Sequence, residues 1–308
     1  MVTVTKYITR RLQQAVLVIF GVSLVVFFMM YLTGDPASLM LPLDASPEDV
    51  MRFKEAMGFN DPIYIQYLRF LSGAVRGDFG MSLRHNQPAL KLVLERMPAT
   101  FQLTFMAMAI AILIAIPAGV VSATRRYSLF DYFGTVTGLL GQSMPVFWLG
   151  IMLIIMFAVK FPIFPTSGRG TFAHLVLPSI TLGTYSTATI MRLLRSGMVE
   201  VLKQDYIKTA QAKGLSGKVV IYKHALKNAL IPVATVVGLQ FGALLGGAVI
   251  TETIFAWPGV GRLAIQAINN RDIPLVQSIV FIMAISIVMI NLLTDLAYTY
   301  LDPRIRYD

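Results

Sequence analysis

The chain contains no cysteine, which removes disulfides, thiolate metal sites and cysteine nucleophiles at once. It is also poor in charge. Only 14% of its 308 residues are Asp, Glu, Lys or Arg, where a water-soluble chain carries about a quarter. Acid is the scarcer sign, with 16 residues against 26 basic ones. Histidine is rare as well: His85, His174 and His224 fall in different loops, so no metal-ligand spacing arises. With 56% apolar residues and a mean hydropathy of +0.68, the missing charge must be concentrated in long uncharged runs.

Six such runs exist, at 12–34, 97–124, 132–159, 170–191, 228–251 and 273–294. Each reaches the roughly 20 residues that an α-helix needs to cross a bilayer. Barrel strands would be half as long and would alternate. The runs therefore predict an all-α integral membrane protein with six transmembrane helices. The first run follows Lys6, Arg10 and Arg11 and imitates a signal peptide, but it is too long for one. No small-x-small cleavage site precedes Gly34-Asp35-Pro36, so a retained helix is expected.

Dividing the charges among the loops orients the chain. One alternate set holds Lys6, Arg10, Arg11, Arg125, Arg126, Arg192, Arg195, Lys203, Lys208, Lys213, Lys218, Lys223, Lys227, Arg304 and Arg306 against few acids. The other set is nearly balanced. Excess Lys and Arg mark the cytoplasmic side, so both termini are expected in the cytoplasm. This bias accounts for the net charge of +10, and no nucleic-acid partner is needed to explain it. The resulting organisation is a start and first helix at 1–33, an extracytoplasmic segment at 34–96, a five-helix core at 97–301 with a cytoplasmic loop at 198–227, and a cytoplasmic tail at 302–308.

Two loops are long. The external one predicts a surface helix, with Ser46 as N-cap, Pro47 in the first position, Asp49 completing a capping box and Gly58 as terminator. Such a segment suits contact with an extracytoplasmic partner or a solvated lid. The cytoplasmic loop contains Asp205-Tyr206-Ile207-Lys208-Thr209-Ala210-Gln211-Ala212-Lys213-Gly214. This reads as a short helix capped by Asp205, with Lys213 in the last turn and Gly214 in the left-handed conformation beyond it. Small Thr209, Ala210 and Ala212 allow close contact, which fits a docking peg or an interfacial helix on anionic lipid.

That loop resembles the cytoplasmic motif of binding-protein-dependent ABC importer permeases, whose general form is Glu-Ala-Ala, three residues, then Gly. Aligned on Gly214, the chain has Lys208, Thr209 and Ala210, and Pro232 lies farther on than the motif's closing proline. Both departures match the version carried by the peptide branch of the family. The similarity continues through Gly34-Asp35-Pro36, Gly77-Asp78-Phe79-Gly80-Met81-Ser82, Ser143-Met144-Pro145-Val146-Phe147-Trp148, Leu177-Pro178-Ser179 and His224-Ala225-Leu226-Lys227-Asn228-Ala229. Thr251-Glu252-Thr253-Ile254-Phe255, Trp257-Pro258-Gly259-Val260-Gly261-Arg262 and Asp302-Pro303-Arg304-Ile305-Arg306-Tyr307 complete it. The ordered set resembles the B-type permease subunit of dipeptide and oligopeptide importers, a branch that includes glutathione and nickel importers.

The resemblance implies a type I importer fold, with the last five helices as shared core and the first added outside it. It implies a second, C-type permease subunit, two ABC ATPases that bind ATP and Mg, a solute-binding protein outside, and lipid around the whole. Asp205, Tyr206, Lys208, Thr209, Ala210, Lys213 and Gly214 would form the coupling helix seated on an ATPase. The chain itself would be a transport subunit rather than an enzyme, with no cofactor or metal of its own.

Other signals are weaker. Gly214-Leu215-Ser216-Gly217-Lys218 is too short for a phosphate loop, and Gly259-Val260-Gly261-Arg262-Leu263-Ala264 follows no predicted strand, so neither predicts a nucleotide site. Gly238, Gly242 and Gly246 recur every fourth residue with Gly247 beside the last, which suits close helix packing or the lining of a pathway. Pro117, Pro145 and Pro178 are expected to interrupt three helices. An ion-coupled secondary transporter or channel should carry acids at mid-membrane depth, and only Asp295 comes close. A structural ion pair with Arg192 or Arg195 is expected of it.

The orientation has a direct test. A topology reporter fused after Gly58 or Asn270 should read outside and one after Lys218 inside; an outside reading at 218 contradicts the assignment.

Overall fold

The computed structural model describes residues 4–32, 37, 41 and 45–301; Gly34-Asp35-Pro36 and the tail from 302 lie outside the described residues. The described chain is helical apart from turns and one isolated antiparallel bridge between Met81 and Pro88. In order, the helices are α1 (Val4–Leu32), α2 (Pro47–Met57), α3 (Ile63–Arg76), α4 (Ala89–Thr124), α5 (Leu129–Ser143), α6 (Val146–Ile154), α7 (Phe172–Val201), α8 (Asp205–Ala212), α9 (Leu226–Ile254), α10 (Val260–Asn269) and α11 (Ile273–Leu301). A π-helical turn, Ile155–Lys160, extends α6. One helical turn, Gly217–Val219, and a second π turn, Val220–Ala225, lead into α9.

Hydrocarbon offers a backbone no partners, so apolar runs satisfy their own amides as helices. The runs accordingly fall in α1, α4, α7, α9 and α11, while the third is shared by α5 and α6. Among the described residues four helical stretches are long and apolar enough to cross a membrane, or five if the bent α5–α6 pair counts as one. That pair turns by 107° between Ser143 and Val146, where Pro145 supplies an extended N-cap backbone for α6. Pro117 and Pro178 do not break their helices; both sit inside continuous α4 and α7. The helix α7 is less apolar than these because it carries serine, threonine and arginine. Ser179, Thr181 and Ser186 are nonetheless buried, so much of this polarity faces protein.

By contact the chain divides into two units. One unit comprises Phe101–Trp257 with the chain from Leu293. Here α7 packs against α9, α5 and α6. Gly183 and Gly238 are both closely approached. A Cβ on Gly183 would lie 2.6 Å from the Ala107 carbonyl oxygen of α4, and one on Gly238 would lie 1.9 Å from Cγ2 of Thr294.

The other unit comprises the chain up to Thr100 and Pro258–Leu292. In it α1 meets α3 through a hydrogen bond of 2.7 Å between the Ser23 and Tyr67 hydroxyls. Phe27, fully buried, touches the rings of Tyr31, Tyr67 and Phe70. The surface helix α2 has the expected capping box of Ser46 and Asp49, and Gly58 terminates it at φ 69°. Buried Asp272 accepts the Ser82 hydroxyl at 2.5 Å and the Leu275 N–H at 3.3 Å, tying the turn before α4 to the first turn of α11.

The glycines make separable predictions. Gly183→Ala and Gly238→Ala should each lower stability by about 1–3 kcal/mol through overpacking. A Cβ on Gly246 meets nothing within 4 Å, so Gly246→Ala should leave the thermal midpoint of the purified chain unchanged or raise it. Equal midpoints for all three variants would contradict these close approaches.

Candidate functional site: a short helix held between two long ones

After Val201 the chain turns through Leu202–Gln204 and starts α8. The N-cap is Gln204, with extended backbone (φ −69°, ψ 149°) and no side-chain cap bond. Asp205 therefore does not cap the helix as expected. It is already helical, and its carboxylate instead accepts the Lys208 ammonium at 2.8 Å, an exposed pair one turn apart. An exposed pair of this kind contributes little to stability, although an acid in the first turn still complements the helix dipole. The other end follows expectation: Lys213 is the C-cap and Gly214 adopts φ 76°, a conformation that side chains resist.

The two faces of α8 differ. Ile207 is wholly buried and Ala210 nearly so, whereas Asp205, Lys208, Thr209 and Ala212 are exposed. Ile207 and Ala210 are three apart and share the inner face; 205, 208, 209 and 212 fall on the opposite one. The inner face packs on the π turn that precedes α9, and the Tyr206 hydroxyl accepts the Asn228 amide of α9 at 2.9 Å. Ala210, expected among the outward small residues, thus belongs to the anchor. Ile207 and Asn228 were absent from the expected set, although the i, i+3 spacing of Ile207 and Ala210 marks an inner face.

At the start of α5 lies an ion pair outside the expected set. Arg195 of α7 meets Asp131 of α5, with Nε to Oδ1 at 2.6 Å and Nη2 to Oδ2 at 2.8 Å. The same carboxylate accepts the Ser122 hydroxyl at 2.5 Å and the Tyr127 N–H at 3.0 Å. Only 4% of Asp131 is exposed, so all four donors are needed to hold the charge. Arg192 donates to the neutral Gln142 carbonyl at 2.6 Å. The acid on the Arg195 fork is Asp131, a carboxylate already ringed by donors.

The glycine row of α9 also divides. Gly238 is pressed on Thr294 and Gly242 is buried, whereas Gly246 and Gly247 are exposed, and Leu182 lies 3.7 Å from a Cβ placed on Gly247. Among the described residues no group of three His, Asp or Glu could hold a metal.

The helical core with its projecting short helix is the fold of ABC importer permeases. It superposes on the MetNI methionine ABC transporter in inward-facing conformation with a TM-score of 0.58 at 17% identity, covering 68% of this chain and 96% of that one. An amino acid ABC transporter structure gives a TM-score of 0.55 at 16% identity over 68% and 94%. Residues 115–307 match the family described as binding-protein-dependent transport system inner membrane component, and residues 4–104 match its N-terminal companion family. The chain belongs to this family of multi-pass bacterial inner-membrane permeases. It is 44% identical to the dipeptide transport system permease protein DppB of Alkalihalophilus pseudofirmus, over 98% of this chain and 99% of the relative. It is 40% identical to DppB of Escherichia coli K12 over 98% and 99%, and 38% identical to the glutathione permease GsiC of the same strain over 98% and 99%.

The buried pair predicts strong coupling. Asp131→Ala strands the Arg195 charge and should cost about 3–5 kcal/mol, while Asp131→Leu with Arg195→Met should recover most of that loss. Additive losses in a double-mutant cycle of detergent unfolding would show that the two side chains act independently.

Proposed function

We propose that this chain forms half of the translocation pathway of an ATP-driven peptide importer. In this reading six spans leave both termini in the cytoplasm, a C-type permease completes the pathway, and a solute-binding protein delivers dipeptides or oligopeptides from outside. Two ATPases bind ATP and Mg, and each cycle of their closure is passed to the membrane helices through α8. The observation that carries this reading is the division of α8 into a buried face, Ile207 and Ala210, and an exposed face with small Thr209 and Ala212. A rod of eight residues is about 12 Å long, suited to a groove on a partner. The dipeptide permeases at 40–44% identity support the choice of cargo, and the glutathione permease at 38% keeps that tripeptide as the second reading.

The test follows from the two faces. Thr209→Trp adds bulk to the outward face, and Gly214→Val strains the positive φ that closes the helix. Neither touches a membrane run, so both variants should insert normally. In the reconstituted complex each should lose ATPase co-purification or substrate-stimulated ATP hydrolysis by about tenfold or more, since bulk at the centre of a docked face removes its contact. Wild-type hydrolysis by both variants in fully assembled complexes would exclude α8 as the coupling element and favour its lying on lipid.

A further inference from the structure

The loop between α6 and α7 holds a cation that the coupling argument does not use. Gly168 takes φ 89° and donates its N–H to the Phe255 carbonyl at 2.9 Å, which fixes the loop against the end of α9. The next residue, Arg169, is thereby carried over the ring of buried Trp257, its guanidinium carbon 5.7 Å from the ring centroid. Gln102 of α4 steadies it from the side, accepting Nε at 3.0 Å and Nη2 at 2.7 Å. These groups line a cavity of about 510 Å³ completed by Gly170, Thr171 and Phe172.

The electrostatics separate Arg169 from Arg195. Arg195 is neutralised by the Asp131 carboxylate, whereas Arg169 rests on an uncharged amide and an aromatic face and has no carboxylate partner among the described residues. Its charge is met by no carboxylate, and its Nη1 is in no hydrogen bond, among the described residues. Carboxylate is the anion whose paired oxygens match its fork. The loop lies on the side assigned to the outside by the distribution of Lys and Arg.

We infer that Arg169, positioned by Gln102 and Trp257, forms a subsite for the carboxylate of the transported solute. This deepens the peptide reading above and rests on it for the identity of the solute. A free peptide C-terminus supplies the carboxylate, and the Phe172 and Leu175 wall accepts its apolar side chain. Gln102 and Trp257 are positioning residues.

Trp148 and Trp257 are the two tryptophans of the chain, so the full chain carrying Trp148→Phe in protein-free lipid vesicles reports on Trp257 alone. Dialanine, dialanine amide and acetate are titrated at constant ionic strength. Dialanine and acetate should change Trp257 emission saturably, and the amide should not. Arg169→Gln should weaken the response by about tenfold or more, while Arg169→Lys retains part of it, since charge survives and the fork does not. An equal response to amide and acid in the parent chain overturns the subsite, as does an undiminished response in a folded Arg169→Gln chain. Dialanine import by the assembled transporter is measured beside the titration. Absence of import by the wild-type complex defeats the peptide reading while the titration still decides the subsite; unchanged import by Arg169→Gln beside active wild type defeats the subsite alone.

Discussion

Water is missing from the interior of a bilayer, and that single lack governs this chain. A backbone amide there must bond to its own segment, and a charge must find a counter-charge or leave. The first demand makes every long run helical, from α1 to α11. The second empties the runs of charge and gathers Lys and Arg in alternate loops. It also explains the form of the Asp131 site, where a nearly buried carboxylate is met by a forked guanidinium, a hydroxyl and an amide N–H.

Much of the fold was legible because the same demand writes itself into composition. The uncharged runs gave the long helices, and local chemistry gave the ends of α2 and the closing glycine of α8, since capping depends on residues a few positions apart. Resemblance across ordered motifs reached the family. What sequence did not disclose was which groups meet across helices. Nothing local singles out Asp131, and only folding brings it to Arg195, 64 positions away. Asp295 was the more conspicuous acid because it stood close to an apolar run.

The same limit applied to small residues. Ala210 and Ala212 are alike in sequence, but Ala210 faces its own chain while Ala212 is exposed. Regular spacing drew attention to the glycines of α9, yet Gly183, outside any repeat, makes the tightest backbone approach. Proline was equally ambiguous. Pro145 coincides with a bend because the preceding helix has ended at Ser143, whereas Pro178 is absorbed within α7, whose neighbours hold it on several sides.

The anchoring of α8 has a mechanical meaning. A peg on a slack loop would dissipate any push in rearrangements of the loop itself. Here one end leaves α7 through a tight turn, the inner face is seated on the approach to α9, and Tyr206 is bonded to Asn228. Load applied to the exposed face therefore reaches α7 and α9 together, and their pairing resists bending of either one separately. In the reading proposed above, the short helix would be the handle of a two-tined lever, its small travel turned into rotation of both tines.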